Sequence, residues 1–389
     1  MTASSKTPAD LPLDGVRVLD FAQFLAGPYA AMRLADLGAD VIKVERPKGG
    51  DLCRSLAVND QWLDGDSLLF HSINRNKRSF AADLKNPEDL ERVKALIATA
   101  DVMIHNFRPG VMERIGLGHE VVAGLNPGLV YAAVSGYGTS GPWREKPGQD
   151  LLAQSLSGIT WLQGNAADGP VPVGFALLDI ATAQNLVQGI LAALLRRGRT
   201  GKGGLLEVDL MSSGMDLQFE QLTCFFNGDK RQPARSEISN ANVYGAAPYG
   251  IYATRDGHLA VAMTPLARLA ELFDLPALRA FDQSEALKRA NEIKPLLQAR
   301  IAEKTTADWL AVLEPTDVWC AEILDWPALA DSAGFAALDI LQTIRNAAGS
   351  ETVMVKSPMR FDGQRPASAR GAPALGADTE TILNELGLG

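Results

Sequence analysis

The run Val16-Arg-Val-Leu-Asp-Phe21 is followed by an apolar stretch from Pro28 to Leu37 and then by Ala39-Asp-Val-Ile-Lys-Val-Glu45. The first and third runs are rich in valine and isoleucine, which favours strands, whereas the middle run has helical spacing. Together they predict a β-α-β unit. The two strands of such a unit are parallel, because the helix carries the chain back to the starting edge.

The same alternation continues along the chain. Pro87 is placed to open a helix reaching about Ala98, because proline is favoured in the first helical turn. The further predicted elements are strands at Asp101–His105, Leu129–Val134 and Leu205–Leu210 and a long helix at Ile180–Arg197. Alternating strands and helices predict an α/β domain with a mostly parallel sheet covered on both faces.

The pattern changes after about Asn227. Strand-like runs at Tyr249–Thr254 and His258–Met263 flank Arg255-Asp-Gly257, which predicts a hairpin. Helices are predicted at Glu285–Asn291, Pro295–Glu303 and Ala307–Leu313, and a terminal helix at about Thr379–Leu386. We therefore expect a large domain at 1–228, a smaller α+β domain at 229–330, and a C-terminal segment, 331–389, that returns to the large domain.

Composition excludes several classes of function. The net charge of −9 argues against general binding to nucleic acid or to anionic membranes. We expect a cytoplasmic protein, because the three cysteines are scattered and the N-terminus lacks the features of a signal or transit peptide. No membrane-spanning segment and no metal site are expected, since no run is apolar enough and the four histidines lack metal-ligand spacing.

One familiar motif is rejected by its context. Gly136-Tyr-Gly-Thr-Ser-Gly141 follows a predicted strand and fits the G-x-G-x-x-G pattern of dinucleotide-binding proteins. Pro142 and Pro147 prevent a helix from starting at the third glycine, so no helix N-terminus is there to bind a pyrophosphate.

Basic residues cluster where predicted strands end. The clusters are Lys43 with Arg46, the segment Asn74–Ser79, and Asn106–Arg108 with Arg114. Open α/β sheets bind ligands at strand ends, so three basic clusters in an acidic protein indicate a ligand that bears phosphate groups. The alternative is ordinary solvated surface charge.

Two acidic positions stand at predicted helix starts. Asp179 precedes the long helix, where it is either an N-cap or a catalytic carboxylate kept ionised by the helix amides. Gln149 and Asp150 form a second polar pair, again interpretable as a cap.

At these residues the chain resembles the class III CoA-transferase family, which includes formyl-CoA, carnitine and bile-acid CoA-transferases and the α-methylacyl-CoA racemases. The resemblance runs from Leu13 to the C-terminus and is weakest between about Asp229 and Ser350. The segments that carry it include Ala26-Gly-Pro28, Leu37–Pro47, Asn76-Lys-Arg-Ser79, Ala100–Gly110, Arg114-Ile-Gly-Leu117, Ser135-Gly-Tyr-Gly138 and Ala372–Gly376.

The resemblance implies a Rossmann-like large domain built from both ends of the chain, a small domain between them, and an interlocked homodimer. It also implies that the large domain binds coenzyme A. Eight positions match CoA contacts in the transferases: Gln23, Phe24, Arg46, Ala82, Lys85, Asn106, Phe107 and Arg114.

Asp179 matches the catalytic aspartate of the transferases, with Gln149 and Asp150 as candidate supporting residues. Leu25 stands where transferases often have glutamine, which argues against oxalate or formate as substrate. Gln149 stands where the racemases have the histidine that exchanges the α-proton. The resemblance thus implies an acyl-CoA:carboxylate CoA-transferase acting on an acyl-CoA and a free carboxylic acid through an aspartyl anhydride and an aspartyl-CoA thioester. The alternatives are an acyl-CoA isomerase, racemase or lyase with Asp179 as base and, more distantly, a non-catalytic CoA-binding protein.

Overall fold

The computed structural model describes residues 11–368 and 370–389, which divide into two compact units. The first unit runs to Ala153 and also contains Ala176–Gly214 and Asp339–Gly389; the second contains Gln154–Phe175 and Met215–Leu338. The strands are β1 (Arg17–Asp20), β2 (Asp40–Glu45), β3 (Trp62–Leu63), β4 (Asp66–Ser67), β5 (Lys77–Ala81), β6 (Val102–His105), β7 (Val130–Ser135), β8 (Gly204–Asp209), β9 (Gly250–Ala253), β10 (His258–Val261), β11 (Cys320–Glu322), β12 (Leu341–Arg345) and β13 (Glu351–Val355).

Helices connect and cover these strands. They are α1 (Ala26–Asp36), α2 (Leu68–Asn74), α3 (Pro87–Thr99), α4 (Val111–Arg114), α5 (His119–Leu125), α6 (Asp150–Ser157), α7 (Leu177–Thr200), α8 (Leu210–Leu217), α9 (Phe219–Asn227), α10 (Leu266–Leu272), α11 (Ala290–Ile301), α12 (Thr306–Leu313), α13 (Trp326–Asp331), α14 (Ala333–Leu338) and α15 (Thr379–Glu385). The predicted β1-α1-β2 unit is confirmed, with the helix beginning two residues before Pro28. Gly38 makes the turn between α1 and β2 at φ +105°, where a Cβ atom would lie 2.6 Å from Leu11 Cβ.

The central sheet has six strands in the order β5-β2-β1-β6-β7-β8, and every neighbouring pair is parallel. The mostly parallel sheet predicted from the sequence is therefore confirmed. The strand order reverses direction between β1 and β6. In doubly wound sheets, a crevice for a ligand opens at the carboxyl ends of the strands at this switch point.

Two apolar layers sandwich the sheet. On one face, Leu34 of α1 packs with Leu186 and Ile190 of α7. On the other face, Val93 and Leu96 of α3 pack with residues of α5 and α15. Because both faces are covered, the strands read as nearly continuous apolar runs.

The strand β5 was not predicted from the sequence, which placed residues 74–79 in a basic loop after a strand. Lys77–Ala81 instead forms the edge of the sheet beside β2. The C-terminal segment covers this edge: Ser79 N–H donates to Asp378 at 2.8 Å and Ala81 N–H donates to Thr379 Oγ1 at 2.9 Å. The first unit thus contains both ends of the described chain.

The second unit contains a three-stranded antiparallel sheet in the order β11-β10-β9. The predicted hairpin is confirmed as β9 and β10, whereas β11 was not predicted. The two predicted helices at 285–291 and 295–303 are wrong: one helix, α11, spans Ala290–Ile301 with Pro295 inside it. The core of this unit includes an edge-to-face contact between Phe273 and Trp309.

Residues 154–175, expected in the large domain, belong to the second unit because they are hydrogen-bonded to a distant part of it. The other boundaries lie at 214/215 and 338/339 rather than at the expected 228/229 and 330/331. Arg235 Nη1 donates to Gly169 O at 2.9 Å, and Asn240 Nδ2 donates to Gly164 O at 2.9 Å. These hydrogen bonds satisfy loop carbonyls that no pattern in the sequence connects to residues 235–240.

Three charged side chains are buried together: Asp20 at the carboxyl end of β1, Lys43 in the middle of β2, and Lys77 at the amino end of β5. Asp20 accepts a hydrogen bond from Lys77 Nζ at 2.8 Å, and Lys43 Nζ lies 3.6 Å from Asp20 and 2.8 Å from Asp51. Lys77 Nζ also donates to Pro28 O and to Asn74 Oδ1, both at 2.8 Å. Burial opposes ionisation of Asp20, but the two lysines hold its pKa below the ordinary value.

Replacing Lys77 with methionine should therefore lower the free energy of unfolding by about 3–5 kcal/mol, because it leaves buried acceptors without their donor. Chemical denaturation measures the change. The control is Lys94→Met, which removes a surface pair with Glu91 at 2.8 Å and should cost less than about 1 kcal/mol. Equal losses in the two variants would contradict the role given to the buried network.

Candidate active site

The switch point between β1 and β6 is closed by a reciprocal pair of hydrogen bonds. Gln23 N–H donates to Asn106 Oδ1 at 2.8 Å, and Asn106 Nδ2 donates to Gln23 O at 2.6 Å. The asparagine side chain thereby fixes the loop after β1 against the loop after β6. Gln23 and Asn106, two predicted CoA contacts that are far apart in sequence, are therefore adjacent. They lie at the position where this class of fold binds its ligands.

The loop after β1 is held in an unusual conformation. Phe24 has φ +64°, in the left-handed region that a residue with a bulky side chain rarely adopts, and its side chain is 48% exposed. Asp51 stabilises this conformation by accepting from Phe24 N–H at 3.2 Å. Lys43 pairs with Asp51 and donates to Ala22 O at 2.9 Å, so the buried charges directly shape the loop.

A small pocket opens beside this loop. Four of the eight predicted CoA contacts line it: Gln23, Arg46, Ala82 and Phe107. The Arg46 guanidinium donates to Gly50 O from Nε and Nη2, at 3.3 and 3.1 Å. Because the side chain is exposed and guanidinium has five N–H donors, it keeps donors for a ligand.

The other four predicted contacts do not line this pocket. Asn106 acts through Gln23, and Phe24 lies exposed on the same loop. Lys85 follows β5 and Arg114 ends α4, and both side chains are exposed. They are therefore available to a ligand that extends out of the pocket.

Most of the remaining predicted basic patch is structural. Lys43 and Lys77 are buried with Asp20, Arg75 binds Asp36 at 2.6 Å, and Arg78 binds Asp40 at 2.6 Å. The prediction that these four residues face a phosphate-bearing ligand is wrong. The sequence predicted that these basic residues follow strands, but it gave no sign of the carboxylates with which they pair.

Asp179 lies in the first turn of α7. The helix begins at Leu177, and Ala176 at the N-cap makes no side-chain cap, so the interpretation of Asp179 as an N-cap is wrong. A helix of 24 residues is about 36 Å long, whereas a parallel strand of six residues spans about 20 Å. Since α7 leads into the amino end of β8, its own start projects past the carboxyl edge of the sheet, the edge that carries the pocket beside Gln23.

Asp150 provides the cap that Asp179 does not. Its Oδ2 accepts from Leu178 N–H at 2.7 Å and from Asp179 N–H at 3.1 Å. Asp150 also begins α6 and is buried. Gln149, its neighbour, is exposed and accepts from Leu152 N–H through Oε1 at 3.4 Å, which places it at the start of α6.

The pKa of Asp179 departs from expectation. Burial and the negative charge of Asp150 raise it to about 7, whereas helix amides were expected to favour the ionised form. The expectation is wrong because the amides that would stabilise Asp179 donate to Asp150 instead.

Sequence reasoning missed two buried polar groups. His105, the last residue of β6, is 7% exposed, both ring nitrogens lack a hydrogen-bond partner within the described residues, and burial lowers its pKa to about 4. Thr182 is fully buried and its Oγ1 likewise has no partner in the part of the chain described. Thr182 lies three residues after Asp179 on α7, and this spacing could have indicated from the sequence that the two side chains are neighbours.

Within residues 11–368 and 370–389, no group of three histidine, cysteine or acidic side chains could hold a metal ion. Helix α7 is long and apolar enough, by length and composition, to cross a membrane. In this structure, however, Leu186 and Ile190 of α7 pack into the core of the first unit.

The raised pKa of Asp179 predicts a measurable cost in stability. Between about pH 4 and pH 7 the folded carboxyl keeps a proton that the unfolded chain has lost, so stability falls as pH rises through this range. Asp179→Asn removes the ionisation and should raise the free energy of unfolding at pH 8 by about 1–3 kcal/mol, with no gain at pH 4.

Urea denaturation at the two pH values measures this difference. The control is Asp216→Asn, an exposed carboxylate, which should change stability by less than about 0.5 kcal/mol at either pH. A gain in Asp179→Asn that is the same at pH 4 and pH 8 would contradict the assignment.

Comparison with known proteins agrees with this architecture. Residues 13–379 match the model of CoA-transferase family III. The chain is 32% identical to succinyl-CoA:glutarate CoA-transferase of Mus musculus, covering 96% of this chain and 86% of that protein. It is 35% identical to succinyl-CoA:mesaconate CoA-transferase of Haloarcula marismortui, covering 97% and 96%. The crystal structure of a CAIB/BAIF family protein from Brucella suis superposes with a TM-score of 0.83 at 31% identity, covering 97% of this chain and 99% of that chain. The chain therefore belongs to CoA-transferase family III and is a CoA-transferase.

Proposed function

We propose that this enzyme transfers CoA from an acyl-CoA to a free carboxylic acid and that Asp179 carries the acyl group and then CoA in turn. The observation that carries the proposal is the position of Asp179 on α7, which begins at the same sheet edge as the CoA pocket. The membership in CoA-transferase family III supports the reaction class.

The steps balance without a proton. An oxygen of the Asp179 carboxylate attacks the thioester carbonyl, the C–S bond breaks, and CoA leaves as thiolate from an acyl-aspartyl anhydride. The thiolate then attacks the aspartyl carbonyl, releasing the donor acid as carboxylate and leaving an aspartyl-CoA thioester. The acceptor carboxylate attacks this thioester to form a second anhydride, and the thiolate attacks its acyl carbonyl to give the new acyl-CoA and free Asp179.

A carboxylate is a weak nucleophile, so position must supply much of the rate. Oriented groups held together can reach effective molarities of about 10⁵ M or more. The loop fixed by Asn106 and Asp51 provides a rigid binding surface for CoA. The bound CoA then keeps its thiolate close to the anhydride. CoA therefore need not leave the enzyme between its release from the donor and its transfer to the acceptor.

Relatives suggest which substrates to test first. Succinyl-CoA is named as donor for the glutarate and mesaconate enzymes and for a succinyl-CoA–L-malate CoA-transferase subunit of Chloroflexus aurantiacus. We propose succinyl-CoA as the first donor, with short dicarboxylic acids as acceptors.

We also propose an interlocked homodimer that works in the cytoplasm. The second unit exposes large aromatic side chains, with Phe219 71% and Trp326 87% accessible, which a partner subunit would cover. The cytoplasm is proposed because Cys53, Cys224 and Cys320 are scattered along the sequence without a C-x-x-C pair, which is typical of a protein in a reducing compartment.

If Arg46 and Arg114 bind the CoA phosphates, replacing either with alanine should weaken CoA binding about tenfold or more, because a hydrogen bond to a charged group contributes about 1.5–3 kcal/mol. Calorimetry with free CoA at two salt concentrations measures this, and added salt should weaken binding to the wild type most. Arg199→Ala, an exposed arginine in the last turn of α7, is the control and should bind as the wild type does. Unchanged affinity in both test variants would remove these residues from the site.

The covalent mechanism predicts an acyl or CoA adduct on Asp179 and none on Asp150. Hydroxylamine trapping during turnover, followed by peptide mass spectrometry, should modify the peptide that contains Asp179. Asp179→Asn should bind CoA normally yet lose transfer by at least about 10³-fold, which corresponds to about 4 kcal/mol of barrier.

The rival function, an isomerase with Asp179 as base, gains some support from the pKa of about 7, which suits a general base. It forecasts loss of activity in Asp179→Asn without any adduct, and rapid uptake of solvent deuterium at the α-carbon of a 2-methylacyl-CoA. That pair of results would replace the transferase mechanism proposed here.

A further inference from the structure

The start of α7 binds a carboxylate, but the carboxylate is not that of Asp179. Backbone N–H groups in the first turn of a helix are unpaired within the helix and carry partial positive charge. Two of them, from Leu178 and Asp179, donate to the same oxygen of Asp150 at 2.7 and 3.1 Å. Asp179 therefore lies in the first turn while its own backbone N–H binds another acid.

We propose that Asp150 is a positioning residue that keeps the Asp179 carboxylate basic, by occupying the helix amides and by placing a second negative charge beside it. The inference rests on the nucleophilic role proposed for Asp179. It assigns Asp150 a role distinct from attack on substrate, because its Oδ2 is already engaged with two backbone donors.

Two physical effects act in the same direction. An anion at a helix N-terminus is ordinarily stabilised, and Asp150 takes that stabilisation for itself. Its charge then repels ionisation of Asp179 in a partly buried setting, where Coulomb interactions are poorly screened. The pKa of about 7, raised by burial and by Asp150, agrees with this geometry.

Other charges on the elements packed against α7 do not compensate. In α1, Arg33 and Asp36 lie 3.7 Å apart as a pair, and β7 carries no charged side chain. In β8, Asp209 bonds to Ser212 and Glu207 is exposed. Burial and Asp150 are the influences that raise the pKa of Asp179.

The chemical consequence concerns the first step. A thiolate leaves and a carboxylate attacks, so anhydride formation becomes less unfavourable as the basicity of the carboxylate approaches that of a thiol; for comparison, the ordinary pKa of a cysteine thiol is about 8.5. An ordinary aspartate, with a pKa of about 3.9, lies far below this value. A carboxylate with a pKa of about 7 lies much closer and is still about half ionised at neutral pH.

The test is Asp150→Asn, which keeps a carbonyl acceptor for the helix amides but removes the charge. Infrared spectroscopy detects protonated carboxyl groups, and the band that disappears in Asp179→Asn is assigned to Asp179. The intensity of this band is then followed against pH, without substrate, in the wild type and in Asp150→Asn. The wild type should titrate near pH 7 and the variant at lower pH. The acid limb of kcat/KM for transfer should shift to lower pH with it, while the plateau rate above pH 8 falls.

Asp325→Asn is the matched control, since Asp325 also caps a helix, accepting from Ala328 N–H at 2.9 Å in the second unit; it should leave both curves unchanged. If Asp150→Asn does not fold, Asp150→Ser, which also retains an acceptor, provides the same comparison. A titration of Asp179 that is identical in the wild type and the Asp150 variant overturns the proposal, as does a wild-type pKa near 4. Because the titration needs no turnover, failure to trap an acyl adduct would sink the proposed function and leave this result standing.

Discussion

The buried pairing of Asp20 with Lys43 and Lys77 is the constraint on which the rest of the first unit depends. It joins β1, β2 and β5 through charges that could not remain buried unless they met one another. Lys43 continues the chain of contacts to Asp51, whose carboxylate accepts from Phe24 N–H. The ionic network therefore does more than close the sheet, because it also sets the shape of the loop that carries Gln23 and Phe24.

The proposed function rests on what this constraint places at one edge of the sheet. A parallel sheet brings the carboxyl ends of its strands together, and the reversal of strand order between β1 and β6 opens a crevice there, in which we propose that CoA binds. The long helix α7 contributes Asp179 at the same edge, and Asp150 occupies the amides of its first turn. In the proposed mechanism, binding and chemistry therefore rest on different parts of the structure: the loop after β1 would bind CoA, and the start of α7 with its two acids would carry out the transfer.

Sequence reasoning succeeded where neighbouring residues decide the outcome. The β1-α1-β2 unit, the β9–β10 hairpin and the terminal helix follow from local spacing and turn residues, so they could be recognised without the fold. It failed at β5, because Lys77 and Arg78 make that strand look like a charged loop. Their partners Asp20 and Asp40 lie more than thirty residues away and are visible only after folding. The same long-range pairing removed four basic residues from the predicted ligand patch.

The sequence by itself determined the parallel α/β architecture, the family resemblance and Asp179 as the acid to test, because these rest on periodicity and on motifs of adjacent residues. Only the tertiary structure decided which charges are buried in pairs, which of the predicted CoA contacts share a pocket, and which acid caps α7. Local sequence offered Asp179 as a cap of α7 and Asp150 only as a cap of its own helix. The choice depends on where the chain brings Asp150 after the turn that follows β7, and hydrogen bonds between residues nearly thirty positions apart leave no periodic trace in a sequence.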